Sequence, residues 1–195
     1  MLIAVQISFG QDDLFGLIDA TDSSENRLSD DLLPERMLFT QKLLWGEKGL
    51  MRKTGVSPLS RDQRVKELKW RKSMLTAHQA IGYVTLAGMI AQGVIGGELY
   101  NGNYDLKDTH KALGNFVTAS YFTGAALSLF APPPLISARK EGISGARAHK
   151  WLATVHLSAM IATQYYKERD ESLHRAAAYT AVGAFATATL VLRLD

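Results

Sequence analysis

The chain contains no cysteine among its 195 residues. That excludes a disulfide framework, a thiolate zinc site and iron–sulfur ligation by its own side chains. Proline is also scarce, five in all; Pro34 stands near a helix start, and Pro132–Pro134 close a helix early. The net charge is only +3, and the basic residues gather beside apolar runs instead of forming a nucleic-acid motif. No nucleic-acid partner is expected. The long uncharged runs hold no acidic residue, which argues against a cation or proton transporter built on the deeply placed His156.

What is present divides unevenly. Residues 1–72 hold 23 of the 41 charged residues, although the mean hydropathy of −0.04 conceals it. Met1–Gly10 is apolar apart from Gln6 and Ser8, so residues 1–11 read either as the remnant of a secretory signal peptide or as a plain disordered terminus. Residues 12–72 form a polar and amphipathic N-terminal segment, with residues 11–35 extended or disordered. Met37, Leu38, Leu44, Trp45 and Met51 recur at helical spacing and predict one helix between Pro34 and Met51, with Gly49 near its end. A loop follows at Thr54–Ser60. Arg61–Lys72 carries eight charges around Val65 and Leu68 and reads either as an interfacial helix with its basic face toward lipid headgroups or as a solvated surface helix.

Residues 73–195 differ in kind. Between Lys72 and Glu98 lie 25 uncharged residues, between Lys111 and Arg139 27, between Lys150 and Lys167 16, and between Arg175 and Arg193 17. A spanning helix needs roughly 17–25 apolar residues, so four transmembrane helices are expected. Short connections at Tyr100–Thr109, Ala131–Gly145 and Lys167–Ser172 make neighbours antiparallel. The expected fold is therefore an all-α membrane protein: an up-down-up-down four-helix transmembrane bundle preceded by an N-terminal amphipathic helical segment. The small residues of the spans, including Gly93 and Gly96–Gly97, allow close approach of helices or of a flat cofactor.

The five histidines are the candidate functional residues. His78, His110, His149 and His174 each fall near the start of one span, and His156 follows His149 by two turns on the same face. Alternating helix direction puts His78 and His149 on one membrane face and His110 and His174 on the other. Depths counted at about 1.5 Å per residue place His78 about 10 Å from the midplane, His149 about 14 Å and His156 about 4 Å. By the same rise His110 and His174 come out at roughly 17 and 15 Å. His149 thus matches His78 better than His156 does, and His156 stands as the alternative ligand.

Two further patterns accompany the histidines. Gly82, Gly114, Ala153 and Ala178 stand four residues after the four helix-start histidines, one turn deeper on the same face, whereas Met160 follows His156. Lys111, Lys150 and Arg175 directly follow His110, His149 and His174, and could meet anionic groups of a cofactor at headgroup level. Histidines divided between opposite faces cannot gather into one tetrahedral zinc cluster. Two bis-imidazole haem sites would use four of them.

Ala77-His78-Gln79, Thr109-His110-Lys111, Ala148-His149-Lys150 and Leu173-His174-Arg175 together resemble the di-haem transmembrane cytochromes b, in particular cytochrome b561-like proteins. The resemblance covers about Met74–Leu192. It implies two b-type haems, one near each membrane face, held by His78, His149, His110 and His174, and electron transfer across the bilayer. The irons would lie about 25–30 Å apart along the membrane normal by the helical rise. Residues 1–72 and the redox partners lie outside the resemblance; quinol, a small molecule or a cytochrome could serve as donor or acceptor. Whether the chain is itself the membrane subunit of an oxidoreductase stays open, as does a homodimer or a larger membrane complex.

The competing expectation is a non-haem structural or assembly subunit whose histidines are satisfied by hydrogen bonds between helices. In either case the bilayer is a partner and a bacterial inner (cytoplasmic) membrane the expected location. Basic residues near the spans number ten on the N-terminal side against six on the other, which favours an N-terminus inside. The signal-peptide reading places residues 12–72 on the periplasmic side, and that orientation is the one expected.

Overall fold

The computed structural model describes residues 32–135 and 145–191. The expectations for residues 1–11, and for most of the extended stretch up to residue 35, lie outside the described residues. Those described are all helical, with no strand among them.

The helix expected between Pro34 and Met51 is two. Helix α1 covers Phe39–Trp45 and helix α2 covers Leu50–Lys53. Gly46 and Gly49 separate them in extended backbone, with ψ of 170° and 164°. Glycine inside a helical pattern has the weakest propensity after proline, and here it outweighs the apolar periodicity.

Helix α3 runs unbroken over Arg61–Tyr100, 40 residues and about 60 Å long. Ser60 starts it: the backbone is extended and the Ser60 hydroxyl accepts from the Gln63 N–H at 3.3 Å. The charged stretch 61–72 is therefore the first part of the same rod that carries His78. Its basic face is not wholly turned outward as expected, because Arg64 is buried and Arg71 donates to the Pro132 carbonyl at 2.7 Å.

The remaining elements are α4 (Lys107–Leu129), α5 (Gly145–Tyr166) and α6 (Glu171–Val191). Gly102, at φ +100°, turns the chain between α3 and a 3-10 turn at Tyr104–Leu106 that leads into α4; the left-handed region is open to glycine without a Cβ clash. Helix α4 stops just before the three prolines. Asp170 caps α6, its Oδ1 accepting from the Leu173 N–H at 2.9 Å and the Ser172 hydroxyl at 2.8 Å. Those two donors, led by the backbone N–H, hold the Asp170 carboxyl below its usual range.

Helices α3 and α4 pack as one pair and α5 and α6 as another, with α3 also against α6. All four contribute to one core of Met89, Val117, Tyr121, Ala159, Met160 and Ala181, flanked by Leu113, Leu157, Val182 and Phe185. Large apolar side chains also point outward from each of the four, among them Val84, Ile90, Phe116, Trp151, Ile161 and Leu190. Among the described residues, α3 is the helix long and apolar enough to cross a membrane. Only 17% of its apolar window is buried, unlike the core helix of a water-soluble domain. In α4, α5 and α6, alanine, glycine and threonine occupy many positions where a strongly apolar span would carry leucine or isoleucine.

The N-terminal helices dock on one end of this assembly. Trp45 Nε1 donates to the Phe130 carbonyl at 2.9 Å, Thr40 Oγ1 to that of Leu129 at 2.5 Å, and the Trp45 and Trp70 rings lie 6.1 Å apart. Beneath them sits a buried ionic cluster. Both oxygens of the fully buried Glu67 are bonded, by Arg52, Arg64 and the Ser57 hydroxyl. Arg64 reaches on to the carbonyls of Pro133 and Pro134 at 3.0 and 3.3 Å. The carboxylate thus has charged donors on both oxygens, the condition for burying an ion pair, while Arg52 Nε is buried without a partner.

Candidate cofactor site

The four long helices bring the histidines together in two pairs. The rings of His78 on α3 and His149 on α5 are 6.4 Å apart, centre to centre, with planes at 84°. Those of His110 on α4 and His174 on α6 are also 6.4 Å apart, at 78°. Both are the pairs that depth along alternating helices suggests, and the two stand at opposite ends of the core.

Which nitrogen faces the partner follows from the hydrogen bonds. His78 Nδ1 is 2.9 Å from the Gly124 carbonyl, His149 Nδ1 is 3.0 Å from that of Ala188, and His174 Nδ1 is 2.9 Å from that of Thr163. A carbonyl can only accept, so Nδ1 carries the proton and Nε2 keeps its lone pair. This is the arrangement by which a metal-ligating histidine is oriented and made more basic. His110 differs: its Nδ1 is buried without a partner.

The ring separation can be compared with what a shared metal ion requires. Metal–imidazole bonds of about 2.0–2.1 Å, with each ring centre lying beyond its nitrogen, would put two imidazoles that share one ion roughly 6 Å apart, centre to centre. The 6.4 Å separations of both pairs are close to that. Among the described residues, no three or more of His, Asp and Glu gather at one point, so each pair offers two imidazoles from two helices and no third protein ligand.

His156 is elsewhere. It is buried in the core, its Nδ1 is 2.6 Å from the Tyr121 hydroxyl, and its ring packs on those of Tyr121 and Phe185 at 5.6 and 5.0 Å. It pairs with no other histidine ring. The geometry thus joins His149, not His156, to His78.

The small residues beside the histidines divide. Beside Gly82 there is open space within 4 Å of where a Cβ would stand, but beside Gly114 the Gln92 amide fills it, its Nε2 3.0 Å from that position. Gly96 serves His110 instead: a Cβ there would stand 2.9 Å from the ring's Cε1. Gly96 is one of the small residues that allow close approach, but sequence spacing did not tie it or Gln92 to His110, because both act across helices.

Of the basic residues, Lys111 and Lys150 are exposed, and the Arg175 guanidinium lies 3.8 Å over the Tyr100 ring, held at the His174 end. The separation of the two pairs can be counted on the helices that touch both. On α4, Gly124 beside His78 lies fourteen residues from His110, about 21 Å; on α3, Gly96 beside His110 lies eighteen from His78, about 27 Å.

No protein-family model, curated protein or solved structure matches this chain.

Proposed function

We propose that this chain is a membrane-embedded b-type cytochrome that carries electrons between the two faces of a bilayer. Helices α3–α6 form an up-down-up-down four-helix transmembrane bundle that holds one haem b between His78 and His149 and a second between His110 and His174. The observation that carries this reading is the pair of 6.4 Å ring separations, one at each end of a common core, each close to what two imidazoles on one iron would need.

Bound haem supplies a one-electron iron couple at each site. The protein's part is to place and tune it. Backbone carbonyls of Gly124, Ala188 and Thr163 fix three of the four rings by Nδ1 and leave Nε2 with its lone pair for the iron. Met89, Tyr121, Met160 and Phe185 fill the space between the pairs and exclude water. Arg175, Lys111 and Lys150 stand beside ligand histidines where haem carboxylates would need cations.

The outward apolar side chains on all four helices support a lipid surround. So do the aromatic residues. Trp45, Trp70 and Trp151 lie toward the His78–His149 end, and Tyr100, Tyr104, Tyr165 and Tyr166 toward the other, as in the belts at membrane interfaces. The reading is of a bacterial inner-membrane protein with its N-terminal segment periplasmic; protease should then cut residues 12–72 in intact spheroplasts, and protection would reverse the orientation. The redox partners are a donor and an acceptor on opposite faces, of the quinol, small-molecule or cytochrome class.

A second reading, a structural subunit without haem, draws support from the same three carbonyls, since they satisfy the histidines without a metal. Protein purified from haem-replete cells separates the two. A reduced-minus-oxidised spectrum should show a b-type alpha band with two haems per chain, and a colourless protein would refute the cytochrome. His149→Ala should lose one of the two haems and His156→Ala neither; equal content in the two variants would contradict the assignment.

A further inference from the structure

The inference that follows rests on the haem-binding reading and concerns one of its sites. Three histidines obey a common rule. Gly124, fourteen residues after His110, offers its carbonyl to His78; Thr163, fourteen after His149, offers its carbonyl to His174; and Ala188, fourteen after His174, offers its carbonyl to His149. Fourteen residues are close to four turns, so histidine and acceptor share one helix face. Each helix therefore gives a ligand at one end and a ligand's support at the other.

The remaining position under this rule is Gln92, fourteen residues after His78, and there the pattern changes. Gln92 Nε2 donates to the backbone oxygen of His110 at 2.8 Å, while His110 Nδ1 and Gln92 Oε1 are both buried and unpartnered. The amide is assigned the right way round, since exchanging its oxygen and nitrogen would set two acceptors against each other. Two buried orphans, one a donor when Nε2 ligates a metal and the other an acceptor, belong to residues already joined by a hydrogen bond. Gly114 and Gly96 confine them: a Cβ at the first would stand 3.0 Å from Gln92 Nε2, and at the second 2.9 Å from His110 Cε1.

We propose that Gln92 is the positioning residue of His110, its Oε1 accepting the Nδ1–H when His110 ligates haem and so setting the basicity of that ligand. The terminal amide torsion of glutamine is broad, so a turn within the space beside Gly114 brings Oε1 to Nδ1 and satisfies both atoms. Three ligands are tied to backbone that cannot turn. The fourth is tied to a side chain that can, and the His110–His174 site is thereby the adjustable one of the two. A stronger acceptor at Nδ1 makes the imidazole a better donor to ferric iron and lowers the potential; a missing acceptor raises it.

The test is an equilibrium redox titration of the haem-loaded full chain, followed optically. The component belonging to this site is identified as the one lost in His110→Ala, with His174→Ala as the check should the first variant fold poorly. Gln92→Leu should raise the midpoint of that component and Gln92→Glu should lower it, while the other component stays in place. If either variant loses haem from the site, the ferric low-spin electron paramagnetic resonance signal of the other still reports the change at His110. Unchanged potentials, shifts of one sign in both variants, or equal shifts of both components would overturn the role of Gln92 and leave the cytochrome standing. A wild-type protein with no haem would instead overturn the cytochrome itself.

Discussion

Replacing Glu67 by glutamine should free the N-terminal helices from the rest of the fold. Glu67 is completely buried, and its two oxygens take hydrogen bonds from Arg52, Arg64 and Ser57. An amide keeps one acceptor oxygen and turns an NH2 toward a guanidinium, so two buried cations lose their counter-charge. Breaking a buried pair from one side costs about 3–5 kcal/mol, which is a loss of roughly 10²–10⁴ in the closed-to-open ratio of the docked segment. Hydrogen exchange read by mass spectrometry should show that acceleration across Phe39–Ser57, with the α5–α6 pair unchanged. Arg52→Met should do less, because Arg64 still pairs with Glu67. Unaltered exchange in the Gln variant would refute the argument, as would acceleration spread evenly over all helices. The pH dependence has a definite sign. Burial alone would raise the Glu67 pKa, but the hydrogen bonds from Arg52, Ser57 and Arg64 outweigh it and hold the carboxyl below its usual value of 4.5. Its contribution is then fully present above about pH 4.5 and is lost as the pH falls through the lowered folded value.

Two other outcomes follow from the core. Tyr121→Phe leaves His156 Nδ1 buried without its partner at 2.6 Å; a cost of about 1–3 kcal/mol should appear as a lower melting temperature, with haem content per chain unchanged. Gly88→Ala would put a Cβ 2.8 Å from Val117 Cγ2 and push α3 from α4. Overpacking of that kind costs about 1–3 kcal/mol, and thermal unfolding of the double variant Gly88→Ala/Val117→Ala should recover most of it.

How much of this was legible in the sequence depends on whether a feature is local. Uncharged runs bounded by Lys72, Glu98, Lys111, Lys150 and Arg175 are local, and they anticipated one long helix for each run, although α3 begins at Arg61, well before its run does. Depth is a count of residues, so the joining of His78 with His149 and of His110 with His174 could be expected from helix direction and depth together. The helix from Pro34 to Met51 was misread as one because apolar spacing continued through Gly46 and Gly49, where the backbone leaves the helix. The Gln92–His110 contact was not visible at all. It depends on a fourteen-residue register that acquires meaning only when one knows which helix faces which. The inward turn of Arg64 was hidden likewise, since its partners are Glu67 and the carbonyls at Pro133 and Pro134.

Helix α3 joins these separate observations mechanically. It is one rod of about 60 Å, with the Glu67 cluster near one end, His78 beyond it, and Gln92 and Gly96 near the other. A tilt of about 5° around its middle would carry its two ends about 2.6 Å in opposite directions, given that length. The same tilt would scarcely move His78, which lies about 4 Å from that middle, but would shift Gln92, about 17 Å from it, by about 1.5 Å and so change how its amide meets His110. A load on Arg61–Glu67 is thus felt at the far histidine pair, while the near pair rests beside the pivot.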